Sequence, residues 1–130
     1  MCLWKVTKPE YITSVPIIAY KLFTKIDGKL YGYWRSRAGT PITISDRTKP
    51  YEIGKKYTAV RTRENTYEGR RVNYMTGFHC YKDKITFSTL PSTTQCKVKL
   101  SGKITLGAEG ITFQKSTIVS QYMEILEEVT

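Results

Sequence analysis

IIAYKLFTKI (residues 17–26), DG (27–28) and KLYGYWRSR (29–37) form one continuous stretch. Two runs rich in β-branched and aromatic residues flank Asp27-Gly28, a two-residue turn that tolerates positive φ and matches the twist of antiparallel strands. The stretch predicts a β-hairpin over Ile18 to Tyr33. Outward from it, Val98, Leu100, Ile104 and Leu106 alternate with Lys97, Lys99, Ser101, Lys103 and Thr105 around Gly102. That period of two predicts strand with one buried and one wet face. The chain has ten tyrosines, while alanine, the best helix former, occurs only at Ala19, Ala38, Ala59 and Ala108. The fold class expected is mainly β, with β-rich α+β admitted: a twisted antiparallel sheet or small partly open barrel with at most one or two short helices.

The 130 residues suit one domain with one core, and the 40% hydrophobic and 25% charged fractions exclude a disordered chain. Lys8-Pro9 and Val15-Pro16 interrupt the start, so residues 1–16 are expected to be an irregular arm. Pro41 to Ile44 reads as a short edge strand before a polar turn at 45–50. Tyr57 to Arg63 and Val72 to Thr76 read as strands of a second hairpin, with Glu64 to Arg71 as its charged loop. Strand is expected through Tyr122, with residues 124–130 as a frayed acidic tail. No stretch approaches the ~20 apolar residues of a membrane span, and the first 25 residues lack a signal-peptide pattern. Cys2, Cys80 and Cys96 give an odd number without a Cys-x-x-Cys pair, so reduced thiols and no metal centre are expected.

The formal net charge is +10, and all seven arginines fall between Arg35 and Arg71. Ten basic against four acidic side chains make that third of the chain its positive centre. Arginine presents a planar fork that matches phosphate, and Tyr31, Tyr33, Trp34, Tyr51, Tyr57, Tyr67 and Tyr74 are interleaved with it. Arg35, Arg37, Arg61, Arg63, Tyr33, Tyr57 and Lys55 are therefore the candidate ligand-binding residues, for a phosphate-bearing small molecule such as a nucleotide. A solvated basic surface explains the same residues. An open basic face would instead suit nucleic acid or an acidic protein, with affinity that falls steeply with salt. An oligomer is compatible with the sequence; no cofactor and no membrane partner are expected.

His79, in Gly77-Phe78-His79-Cys80-Tyr81, is the sole histidine and the one side chain with an ordinary pKa near neutrality. It is the candidate general base of an enzyme reading, with Cys80 beside it as the tempting nucleophile. Adjacent residues of an extended segment point to opposite faces, which argues against a direct couple. A hydrogen-bonded structural histidine is the competing reading.

Tyr51-Glu52-x-Gly54-Lys55-x-Tyr57, then Gly77-Phe78-His79-Cys80-Tyr81, then Lys97-Val98-x-Leu100-x-Gly102-x-Ile104, resemble motifs of uncharacterised small proteins of bacteriophages and gut bacteria. Met1-Cys2-Leu3 and Tyr20-Lys21-Leu22 are similar to the same group, so the resemblance runs from residue 1 to about 122. It implies a phage or prophage origin and the cytoplasm of an infected or lysogenic bacterial host. By analogy with small phage proteins, it also implies a role against host defence, either by gripping a host protein or by sequestering a nucleotide signal.

Overall fold

The computed structural model describes residue 3 and residues 5–32, 49–67, 71–85, 93–110 and 115–129, with backbone alone for 64–67, 71 and 72. Among these there are nine strands and no helix. They are β1 (Lys5–Ile12), β2 (Ile17–Ile26), β3 (Lys29–Gly32), β4 (Lys56–Thr58), β5 (Arg63–Tyr67), β6 (Arg71–Met75), β7 (Phe78–Tyr81), β8 (Thr93–Glu109) and β9 (Lys115–Val129). All pairings are antiparallel. Seven strands form one sheet in the order β1-β8-β2-β7-β9-β4, with β3 on β2, and β5 and β6 form a separate ribbon.

The hairpin at 17–32 is as the sequence predicts. Ile26 faces Lys29, and Asp27 and Gly28 both have positive φ, 51° and 76°. That is the primed turn which the strand twist requires.

β8 and β9 pair along nearly their whole length. The other side of β8 is shared: residues 93–100 pair with β2 and residues 103–108 with β1. β9 is divided likewise, with β7 against residues 117–120 and β4 against 122–124. A single register point, Tyr20 opposite Tyr81, joins β2 to β7 and turns the sheet into a ring that stops short of a barrel. Inside it lie Ala19, Phe23, Cys80, Cys96, Val98, Leu100, Ile104, Met123 and Ile125, all fully buried. A second cluster, Leu3, Tyr74 and Val119, packs on the opposite face of β9.

The division of β8 rests on a bulge. Between Ser101 and Ile104 one extra residue is inserted against Tyr122 and Ser120 of β9, and Gly102 takes φ +79°. A Cβ there would lie 2.5 Å from the Tyr122 ring. The interrupted ladder is repaired by side chains: Ser120 Oγ donates to the Ser101 carbonyl (3.1 Å), and Gln121 Oε1 accepts from the Lys103 N–H (3.1 Å). A bulge raises twist and bends the strand, so each half of β8 meets a different partner.

Three expectations are corrected. Residues 5–12 are a strand rather than an irregular arm, because β1 lies at a sheet edge and carries register shifts on both sides of Lys8; Pro9 falls within the second, where no ladder hydrogen bond is required of it. Residues 124–129 are not a frayed tail. Glu124 and Glu127 stand opposite Lys99 and Lys97, Lys25 Nζ lies 3.0 Å from Glu128, and Ile125 is fully buried between them; such cross-strand pairs favour the extended register. Tyr57 to Arg63 is not one strand: β4 ends at Thr58, β5 begins at Arg63 and runs on to Tyr67, and Arg71 already belongs to β6. Tyr33, Arg35, Arg37 and the edge strand expected at Pro41 to Ile44 lie outside the described residues.

Gly102→Ala is expected to cost about 1–3 kcal/mol, since a Cβ-bearing residue is strained at this φ and the Tyr122 ring must move. Urea denaturation measures it. An unchanged midpoint would show that the bulge does not need glycine.

Candidate functional site

The mouth of the ring, where β1 replaces β2 along β8, opens into a groove of about 530 Å³. Its lining includes Leu106 and Ala108 of β8 and Ser116 and Ile118 of β9, which sit opposite one another in register. β1 adds Lys5, Thr7 and Tyr11, β2 adds Ile17, and Lys82 follows β7. Leu106, Ile17 and Tyr11 also pack against the main core, so the floor continues the hydrophobic interior. Among the described residues lining the groove, the charged side chains are lysines and none is acidic. The Lys8 ammonium lies 4.0 Å from the centre of the Tyr11 ring. Apolar surface with a few convergent polar groups, in a volume of several hundred Å³, is the usual form of a small-molecule site. Here it suits a ligand with a flat or apolar body and an anionic end.

Lys5, Lys82 and Tyr11 escaped the sequence reading. They lie 77 residues apart at the extremes and are joined only by the order of the strands. The one local signal was the Lys5-Val6-Thr7 alternation, masked by Pro9.

The sequence candidates are placed elsewhere. Tyr57 packs edge-on against Tyr51 (4.8 Å between centroids), its hydroxyl accepts the Glu52 N–H at 2.7 Å, and the Lys55 ammonium is 5.7 Å from its ring. Burial raises the Tyr51 phenol above its ordinary pKa, and Tyr57 adds to this. Arg61 donates through Nε to the Thr76 carbonyl (3.0 Å) and through Nη2 to Glu10, with only 13% of its side chain exposed. Arg63 donates to Asn73 Oδ1 at 2.8 Å. Both arginines therefore tie strands together, and no described contact brings either to Tyr57 or Lys55.

His79 is held at both ring nitrogens. Nδ1 lies 3.1 Å from the Gly77 carbonyl, which can only accept, so Nδ1 carries the proton. Nε2 is then the acceptor for the Tyr74 hydroxyl at 3.0 Å, and that hydroxyl in turn accepts the Leu3 N–H at 3.0 Å. Burial, with the Lys21 ammonium nearby, lowers its pKa to about 4. Lys21 Nζ donates to the His79 carbonyl at 2.8 Å. Gly77 is fixed by the same packing: a Cβ there would lie 2.4 Å from the Ser120 carbonyl oxygen. Burial pushes the Cys80 and Cys96 thiols up to about 11 and 12, which leaves them un-ionised at neutral pH. A neutral, fully engaged imidazole beside a buried thiol is a poor base-and-nucleophile pair.

On the sheet face away from the groove, the Tyr81 hydroxyl donates to Glu109 Oε1 at 3.3 Å, while Glu109 Oε2 is buried without a hydrogen-bond partner among the described residues. Burial raises the Glu109 pKa. No group of three or more metal-ligating side chains occurs among the described residues, and these include no helix long and apolar enough to cross a membrane.

The His79 shift fixes an acid response. Because the folded pKa is depressed, the unfolded chain binds the extra proton first, so stability is complete above pH 6.5 and falls as pH drops toward about 4. The loss is expected to reach about 3 kcal/mol at most. His79→Gln, which does not titrate, should flatten that part of the stability profile relative to wild type. Parallel profiles from pH 7 to 4 would remove this account.

Comparison of the chain with protein-family models, with curated proteins and with solved structures finds no match to any of them.

Proposed function

We propose that this protein is a non-enzymatic binder of a phosphate-bearing small molecule, a nucleotide foremost, held in the groove at the mouth of the ring. The observation that carries the proposal is the groove's composition: an apolar floor continuous with the core, the Tyr11 ring, and Lys5 and Lys82 as its charged groups. A base rests on Tyr11 and Leu106 through its π-face, and its phosphate takes the two ammonium groups, with the Thr7 and Ser116 hydroxyls in reach of the same lining. The net charge of +10 draws such a ligand in from a distance. The resemblance of the 51–57 and 77–81 motifs to small phage proteins supports a biological role in sequestering a nucleotide signal of host defence, inside the bacterial cytoplasm.

Titration calorimetry against linear and cyclic nucleotides at 0.15 M salt tests the reading. Lys5→Gln and Lys82→Gln are each expected to weaken binding tenfold or more, the range for a lost charged hydrogen bond. Arg63→Lys, at an exposed side chain bonded to Asn73 and absent from the groove lining, keeps the net charge and leaves the groove intact, so its affinity should match wild type. Equal affinity in the lysine variants, or no nucleotide bound by wild type, would overturn the proposal.

A further inference from the structure

Five large hydrophobic side chains are strongly exposed among the described residues, and three of them, Ile12 (74%), Val15 (65%) and Ile18 (44%), fall within seven positions of the β1–β2 corner. The corner is tied down. The Thr13 N–H donates to the Gly102 carbonyl at 3.1 Å, and Thr13 Oγ1 donates to the Val15 carbonyl at 2.6 Å. Ile12 stands opposite Lys103 and Ile18 opposite Lys99 on β8. Ile18 and Lys99 alternate with Ala19 and Val98, which point into the core, so this pair faces outward. Lys103 precedes the buried Ile104 and is exposed. Beyond Lys99 come Glu124, 4.0 Å from its ammonium, and then Lys56, 4.5 Å from the centre of the Tyr122 ring. Aliphatic prongs thus project beside Lys99 and Lys103, with Glu124 and then Lys56 further along the same row of strands.

We infer that this corner is a docking surface for an anionic phospholipid bilayer, with Ile12, Val15 and Ile18 entering the headgroup boundary and the lysines meeting lipid phosphates. Charge complementarity selects the occupant's sign, and the exposed aliphatic groups select its kind. Exposed aliphatic side chains gain little from a nucleic-acid backbone, whereas a bilayer takes them in at its headgroup boundary. Lysines near an anionic leaflet each strengthen attachment, and the attraction decays within a Debye length. The inference stands apart from the groove, whose lining includes none of these residues.

The test is co-sedimentation of the full chain with phosphatidylglycerol–phosphatidylcholine vesicles, with pure phosphatidylcholine vesicles and a single-stranded oligonucleotide as comparisons. Wild type should bind the anionic vesicles and not the neutral ones. Ile12→Ser, Val15→Ser and Ile18→Ser combined should reduce binding at least tenfold while leaving the thermal midpoint unchanged, because the side chains are exposed. Lys99→Gln with Lys103→Gln should reduce it about fivefold per lysine. Lys29→Gln with Lys49→Gln, an equal charge loss at exposed positions elsewhere, should cost clearly less. Failure of wild type to bind anionic vesicles, binding to the oligonucleotide alone, or a serine variant that binds as wild type does would each overturn the inference.

Discussion

The bulge at Gly102 is the constraint on which the rest of the structure depends. A straight seventeen-residue strand would hold β1 and β2 end to end in one line along a single edge of β8. Bending at residues 101–104 gives β2 the first half and β1 the second. The same bend carries residues 117–120 of β9 to β7, and β7 to Tyr20 of β2, so the ring closes as a consequence. Ser120 is central to this. Fully buried, its hydroxyl lies 3.1 Å from the Ser101 carbonyl and 2.7 Å from that of Tyr122, supplying polar contacts where the ladder is broken. The groove exists because β1 and β2 part company at this point, and so does the exposed β1–β2 corner that bridges the bulge through Thr13.

The interior treats its polar groups in two ways. Around His79 every atom is specified: tautomer, acceptor and donor follow from the Gly77 carbonyl, the Tyr74 hydroxyl and the Leu3 N–H. A satisfied network of this kind fixes the position of residue 3 against β9 through Tyr74, and makes the neutral imidazole the form the fold prefers. Glu109 is the contrast, with one oxygen held by Tyr81 and the other buried without a hydrogen bond from any described residue. Burial raises its pKa because the charged form is the expensive one there. The same desolvation acts in both places, on a base in one and an acid in the other, and each moves toward neutrality.

The parts of the fold legible in the sequence are those whose signal is local. Asp27-Gly28 dictates its turn within two residues, and the Val98 to Leu106 alternation marks β8 without reference to any other strand. Residues 5–12 were not legible, because Pro9 is a warning against strand unless the chain lies at an edge and bulges, and both facts depend on β8. The acidic end was misread for the same reason: Glu124, Glu127 and Glu128 look solvated until Lys99, Lys97 and Lys25 stand beside them. The groove was least legible of all, since Lys5, Tyr11, Lys82, Leu106 and Ile118 share no sequence window. The arginine cluster shows the converse. Arg61 is close to Arg63 in the chain, yet its carboxylate partner is Glu10, 51 positions away.

Charge type, more than charge number, then decides how this surface works. Arginine is costly to leave unpaired in a partly buried place and its fork is best satisfied by fixed acceptors; Arg61 accordingly spends its guanidinium on the Thr76 carbonyl and Glu10, holding β1 to the segment between β4 and β5. Lysine carries a compact charge on a long apolar stem, so it can cover hydrophobic surface while its ammonium stays wet. That is the behaviour needed at the groove rim, where Lys5 and Lys82 border Leu106 and Ile118, and at the bend, where Lys56 lies over Tyr122. The long-range field of a +10 protein attracts anions of every kind and discriminates among none. On the proposed reading, selection would come from what the lysine stems border: a floor that rewards a ligand with apolar area, and walls of low polarizability that strengthen each ammonium once water is displaced. A bare phosphate ion would gain only the second of these, whereas a phosphate joined to an aromatic base would gain both, and under that proposal the difference is the physical basis for specificity among anions.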